Sequence, residues 1–133
     1  MDNNKLEKAY IAGGCFWGME DLFRVRPGIK DTEVIYLGGI NENPTYKNHP
    51  GHAEGIELTY DPTETSFKLI LDYFFRIHNP TTVDRQGNDI GTQYRSAVFF
   101  HSPEQQQQAQ QLMQELGQAG VWSRPIVTEL VSA

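Results

Sequence analysis

The 133-residue chain contains one cysteine. A single thiol excludes an internal disulfide and a cysteine-cluster zinc site, so any redox chemistry must begin from that one sulfur. Positive charge is also scarce, with 11 Lys and Arg against 17 Asp and Glu and a formal net charge of −6. Without a basic cluster the chain has no electrostatic footprint for nucleic acid or an anionic membrane. No stretch approaches the ~20 apolar residues of a membrane span, and the N-terminal MDNNKLEKAY lacks the apolar run of a signal peptide. These absences read as a cytoplasmic protein, with a monomer the simplest expectation. Glycine and proline are not in excess, so the composition is that of a chain that folds. Its length suits one domain, residues 1–133, with a core that needs no disulfide or structural metal.

KAYIA (8–12) reads as a short strand interrupted by Gly13-Gly14. A helical pattern follows, with Phe16, Met19, Leu22 and Phe23 on one side and Glu20, Asp21 and Arg24 on the other. Pro27 and Gly28 stop it, and TEVIYLGG (32–39) reads as a second strand. INENPTYKNHPGH (40–52) has no periodicity and is expected to be an exposed, functional loop. EGIELTYD (54–61) alternates Ile56, Leu58 and Tyr60 against Glu57, Thr59 and Asp61, the period of a half-buried strand. Phe67, Ile70, Leu71, Phe74 and Ile77 then mark the main core helix, capped by Thr65 or Ser66 and ending before Pro80. NPTTVDRQGNDIGTQYR (79–95) reads as a polar loop and SAVFFH (96–101) as a strand. Ser102, Pro103 and Gln105 predict a capping box opening a helix with Ala109, Leu112, Met113, Leu116 and Ala119 inward and glutamines outward. PIVTELV (125–131) supplies the last strand. The order β-α-β-β-α-β-α-β predicts an α+β, two-layer α/β sandwich: a mixed sheet with a split βαβ, ferredoxin-like core.

Cys15 follows the glycine pair at the first turn of a predicted helix, where backbone N–H groups and the helix dipole stabilise a thiolate. A lone cysteine can equally be a small buried hydrophobe. The glycine pair, which permits a strained turn, and the adjacent Phe16 and Trp17, poor residues for a helix start, weigh toward the reactive reading. Phe16 and Trp17 could wall a pocket for a small apolar group such as a methyl, or Phe16 could pack with Met19 and Phe23. The polar candidates are Tyr46, His49, His52, Glu54, Asp84, Asp89 and Tyr94. Glu54, if partly buried, could serve as an acid at neutral pH; the plain alternative is a solvated edge carboxylate. Tyr46 and Tyr94 could donate hydrogen bonds to a substrate oxygen or merely pack. His49, His52 and Glu54 form H-x-x-H-x-E, but they lie in a loop and strand and lack a third ligand at a known spacing, so no metal is expected. His78 and His101 read as helix-end or surface histidines.

GCFWG (14–18), NPTY (43–46), GHAE (51–54) and RQGNDIGTQYRS (85–96), in that order, resemble the A-type peptide methionine sulfoxide reductases. GCFWG together with GTQYRS is a highly specific pair. The resemblance implies reduction of methionine-S-sulfoxide, free or in proteins, and hence repair of an oxidative lesion. It implies that Cys15 attacks the sulfoxide sulfur and becomes a sulfenic acid, and that Glu54 protonates the sulfoxide oxygen. Tyr46 and Tyr94 would hold that oxygen with help from Asp89, while Phe16 and Trp17 receive the methyl. The sequence departs from the family pattern in a shorter loop between Tyr46 and Glu54, in Pro50, and in IYLGG and HNP. Many relatives also carry resolving cysteines in a C-terminal tail, whereas this sequence ends in VTELVSA. It is either a one-cysteine form or stops short of that tail. In both cases no cofactor is bound, and an external thiol, whether thioredoxin, glutaredoxin or glutathione, must reduce the sulfenic acid. Two other readings stay open: a different single-cysteine thiol enzyme, such as a peroxidase or a hydrolase pairing Cys15 with His52, and a non-catalytic module that binds oxidised methionine.

Overall fold

The computed structural model describes residues 6–14, 16–37, 53–86, 89–91 and 94–132. Strand β1 (Glu7–Gly13) leads into helix α1 (Phe16–Phe23), followed by β2 (Ile29–Leu37) and β3 (Ala53–Tyr60). Helix α2 (Phe67–Ile77) comes next, then two short strands, β4 (Arg85–Gln86) and β5 (Asp89–Ile90). Strand β6 (Ser96–Phe100), helix α3 (Pro103–Gln118) and strand β7 (Glu129–Ser132) complete the order. The main sheet runs β2-β3-β1-β6-β7. β3 lies antiparallel between β2 and β1, which places β1 and β2 parallel with a strand between them. That is the expected split βαβ, joined by α1. β6 pairs antiparallel with β1 and parallel with β7, and the parallel pair is linked by the α3 crossover. The sheet is therefore mixed and the fold α+β, as the element order predicts.

Strand periodicity sorts the side chains. Ala9 and Ile11 of β1, Ile56 and Leu58 of β3 and Val98 of β6 join one buried cluster with Met19 and Phe23 of α1, five residues of α2, and Ala109 and Leu112 of α3. All three helices thus pack into one core on one sheet face. Ala12, Ala97 and Phe99 form a smaller cluster with Tyr10 and Val131.

The caps are as the sequence predicts at both long helices. Ser66 accepts a hydrogen bond from the Leu69 N–H at 3.1 Å, and Ser102 accepts one from the Gln105 N–H at 3.2 Å, each satisfying a donor the helix leaves free. Several details differ from the sequence reading. Leu22 is 44% exposed, because among the described side chains of the eight-residue α1 it is Met19 and Phe23 that face the core. Phe75 joins the buried face of α2, and Ala119 is exposed as the C-cap of α3. Gln105 is buried rather than solvated: its amide donates to the Lys8 carbonyl at 3.0 Å and accepts from the His101 N–H at 3.1 Å. The polar stretch after α2 contains the β4–β5 pair instead of being all loop. β2 begins at Ile29, and β7 begins only at Glu129 because Pro125 has no N–H and the Val127 N–H bonds the Pro80 carbonyl at 2.7 Å, outside the sheet.

The core assignment predicts a sharp contrast within α2. Leu71 is fully buried and Leu69 is 60% exposed. In urea unfolding, Leu71→Ala should cost about 3 kcal/mol, through lost burial and a residual cavity, and Leu69→Ala about 0.5 kcal/mol or less.

Candidate active site

β1 ends at Gly13, and its missing side chain lets the core close against the backbone. A Cβ there would lie 2.7 Å from Met19 Cε, 2.8 Å from Phe74 Cε1 and 3.1 Å from His78 Cδ2. Gly14 has φ +108, a conformation that L side chains rarely adopt. A Cβ on Gly14 would meet Gln86 Cγ at 3.0 Å. Gln86 is itself clamped: its side-chain oxygen accepts from the Asn79 N–H at 2.9 Å and its NH₂ donates to the Asn79 carbonyl at 2.6 Å. The turn that leads into Cys15 is thus held from below by α2 and from the side by the segment that follows α2.

Cys15, Tyr46, His49 and His52 lie outside the described residues, as do the side chains of Phe16 and Asp89. The remaining candidates gather at the end of the sheet where β1 stops. Ile11 pairs with Ile56, so antiparallel β3 runs on to Glu54 beside β1 as β1 runs on to Gly13. Glu54 is 1% exposed, which removes the edge-carboxylate reading. On the other side of β1, Gly13 pairs with Ser96, and Tyr94 lies two residues before it. The Tyr94 N–H bonds the Gly91 carbonyl at 3.0 Å, while the Gly91 N–H bonds the carbonyl of Asp84 at 2.8 Å. Asp89 pairs through its backbone with Gln86, the residue packed on Gly14. Trp17, in the first turn of α1 and two residues after Cys15 in the chain, is 59% exposed and offers an apolar surface.

The sequence reading missed one feature. His78 is a helix-end histidine, as the sequence allows, the C-cap of α2, but it is held in a hydrogen-bond network that the sequence does not indicate. Its Nδ1 lies 2.6 Å from the Phe74 carbonyl and its Nε2 2.7 Å from Ser96 Oγ, which in turn is 2.7 Å from Thr128 Oγ1. A carbonyl only accepts, so Nδ1 carries the proton and Nε2 accepts from the Ser96 hydroxyl. Burial pushes the imidazole down from the ordinary 6.5 to about 4, with the Phe74 hydrogen bond opposing the shift. The signal was the position of His78 at a helix end just before Asn-Pro, which did not reveal its partners 18 and 50 residues downstream.

A sequence model of the family described as "Peptide methionine sulfoxide reductase" matches residues 7–133. The chain belongs to the peptide methionine sulfoxide reductase family. A relative from Mycobacterium sp. (strain MCS), named peptide methionine sulfoxide reductase MsrA, is 53% identical over 127 residues, covering 96% of this chain and 74% of its own length. Among solved structures, methionine sulfoxide reductase A of Corynebacterium diphtheriae superposes with a TM-score of 0.89 at 37% identity, covering 98% of this chain and 66% of that one. Mxr1 from Saccharomyces cerevisiae, in a complex with Trx2, superposes with a TM-score of 0.73 at 27% identity, covering 98% and 78%. The activity is that of an oxidoreductase: thiol-dependent reduction of methionine sulfoxide to methionine, which repairs oxidised protein. Among the described residues no helix is long and apolar enough to cross a membrane.

Two measurements check this geometry. Gly13→Ala should destabilise the reductase fold by about 1–3 kcal/mol, because the new methyl forces Met19, Phe74 and His78 apart. The folded state holds His78 neutral, so below its ordinary value the unfolded chain binds the extra proton and the folded chain does not. The stability that His78 contributes is therefore complete above pH 6.5 and is lost as pH falls toward about 4. Urea titrations of the wild type across that window should show the decline, and His78→Gln should flatten it.

Proposed function

We propose that Cys15 is the nucleophile of this reductase and that it acts on the S epimer of methionine sulfoxide. The observation that carries the reading is the convergence of Glu54, Tyr94 and the Asp89 backbone on the sheet end from which Gly13-Gly14 delivers the chain to Cys15. A sulfoxide sulfur is a poor electrophile until its oxygen is protonated or strongly hydrogen-bonded. Glu54, withdrawn from bulk water, supplies that proton, and the hydroxyls of Tyr46 and Tyr94 hold the oxygen, with Asp89 in the surrounding polar network. The Cys15 thiolate attacks the sulfur, the S–O bond breaks, and the oxygen ends on Cys15 as a sulfenic acid while methionine leaves. The two electrons that reduce the sulfoxide come from the Cys15 sulfur. Phe16 and Trp17 receive the methyl group, and the exposure of Trp17 supports that placement.

Two thiol equivalents, supplied on this reading by an external reductant, regenerate Cys15 from the sulfenic acid, releasing water and a disulfide. The yeast neighbour in complex with Trx2 supports a thioredoxin-type reductant, with glutaredoxin or glutathione as the alternatives. Substrates are free methionine sulfoxide and oxidised proteins, the residues form one catalytic domain, and the protein works in the cytoplasm as a monomer.

Steady-state assays with an excess of a small dithiol and pure epimers test the roles. Cys15→Ser should abolish methionine formation. Glu54→Gln should lower kcat about a hundredfold with little change in KM, the scale of a lost general acid. Activity of Glu54→Gln equal to wild type across neutral pH would remove Glu54 from the mechanism. Binding of the sulfoxide by the wild type without any methionine would favour the binding-module reading instead.

A further inference from the structure

We infer that His78, together with Ser96 and Thr128, is a positioning element for Cys15: the imidazole holds the end of β1 from two directions and so sets where the chain enters the nucleophile. The inference rests on the reading of Cys15 as the attacking thiol. The first direction is steric: the His78 ring edge fills the space beside the Gly13 backbone, 3.1 Å from the place a Gly13 side chain would occupy. The second runs through the sheet. Ser96 is the residue that pairs with Gly13 in β6, and its buried hydroxyl is the donor to His78 Nε2.

With the imidazole neutral, one proton order satisfies the whole chain. The Phe74 carbonyl requires a proton on His78 Nδ1, Nε2 then requires the Ser96 proton, and the Ser96 oxygen accepts from Thr128. Each group has one role, so the ring has one orientation. That orientation is fixed further by packing on Phe74, whose ring is tilted 30° to the imidazole with centroids 4.0 Å apart. The segment carrying Thr128 is itself anchored, because the Val127 N–H bonds the Pro80 carbonyl at 2.7 Å. The end of α2, the start of β6 and the entry to β7 are thereby tied together beneath the last residue of β1. A hydroxyl chain that only satisfied buried polar groups would not need to meet Gly13 at all. This one does so both through its ring and through the strand partner.

The test is single-turnover formation of methionine from the S epimer of a blocked methionine sulfoxide, with Cys15 titrated afterwards, below the melting temperature of every variant. Ser96→Ala and His78→Phe should lower the rate at saturating sulfoxide about tenfold, a fraction of what a misplacement near 1 Å costs, and should leave the half-saturating concentration within about twofold. Thr128→Val, isosteric and remote, should give a smaller loss of the same kind, and Thr128→Ser should restore the wild-type rate. Wild-type rates in Ser96→Ala and Thr128→Val, with only a lower melting temperature, would overturn the inference and leave the network a purely structural one. If Ser96→Ala or His78→Phe does not fold, the Thr128→Val and Thr128→Ser pair decides. If the wild type forms methionine while Cys15 stays reduced, the reading of Cys15 falls and the positioning role falls with it. If the wild type consumes Cys15 and the variants match it, only the positioning role fails.

Discussion

The structure turns on the absence of a side chain at Gly13. Because no Cβ stands there, Met19 of α1, Phe74 of α2 and His78, the C-cap of α2, close on the backbone at the end of β1. Two helices and the central strand of the sheet meet at that point. A methyl group would push all three neighbours outward from a core that is otherwise closely packed, and such cores resist even small additions. Gly14 adds the second constraint, a left-handed turn closed from the side by the clamped Gln86. The segment entering Cys15 is therefore rigid for the same reason that the core is dense.

The topology makes that rigidity useful. In a split βαβ sheet the central strand β1 has antiparallel neighbours on both sides, so the residues flanking its end come from distant parts of the chain. Glu54 arrives from β3 and Ser96 from β6, with Tyr94 just before it. The β4–β5 pair adds Asp89 through Gln86. Sulfoxide reduction needs a soft nucleophile, a proton and hydrogen bonds to one oxygen, and on the proposed reading Glu54 and Tyr94 stand ready for the last two at the sheet end where Gly13-Gly14 leads toward Cys15. Positioning of this kind removes orientational freedom before substrate arrives, which is where much of an enzyme's rate advantage originates.

Much of this was legible in the sequence, and the misses have physical causes. The apolar period of α2, a cap at Thr65 or Ser66 and one at Ser102, and the alternation of β3 are local signals; the structure chooses Ser66, keeps Ser102, and follows the alternation through Tyr60, with Asp61 buried beyond the strand. Leu22 and Ala119 were assigned inward because a helical period defines a stripe and not which edge of it the sheet covers. The β4–β5 pair was overlooked because two-residue strands carry no periodicity; the Gly-Asn pair between them in sequence was the available hint. The helix-end position of His78 is legible but its network is not, because Ser96, and Thr128 behind Ser96, meet it only through the tertiary fold. The sequence alone does not decide between acid and edge carboxylate for Glu54, because its burial depends on β3 lying between two strands, which the alternating pattern does not say. The activity itself was legible only through family motifs, since composition and spacing distinguish a reactive thiol from a buried one poorly.

The central claim is that one thiol, delivered by the glycine turn, carries out the reduction. The most direct measurement mixes reduced protein with pure S and pure R sulfoxide of a blocked methionine, with every external thiol omitted, and counts methionine formed against free Cys15 remaining. The account predicts one thiol lost per methionine, with the S epimer only. Methionine formed while Cys15 remains fully reduced, or formed equally from both epimers, would contradict it.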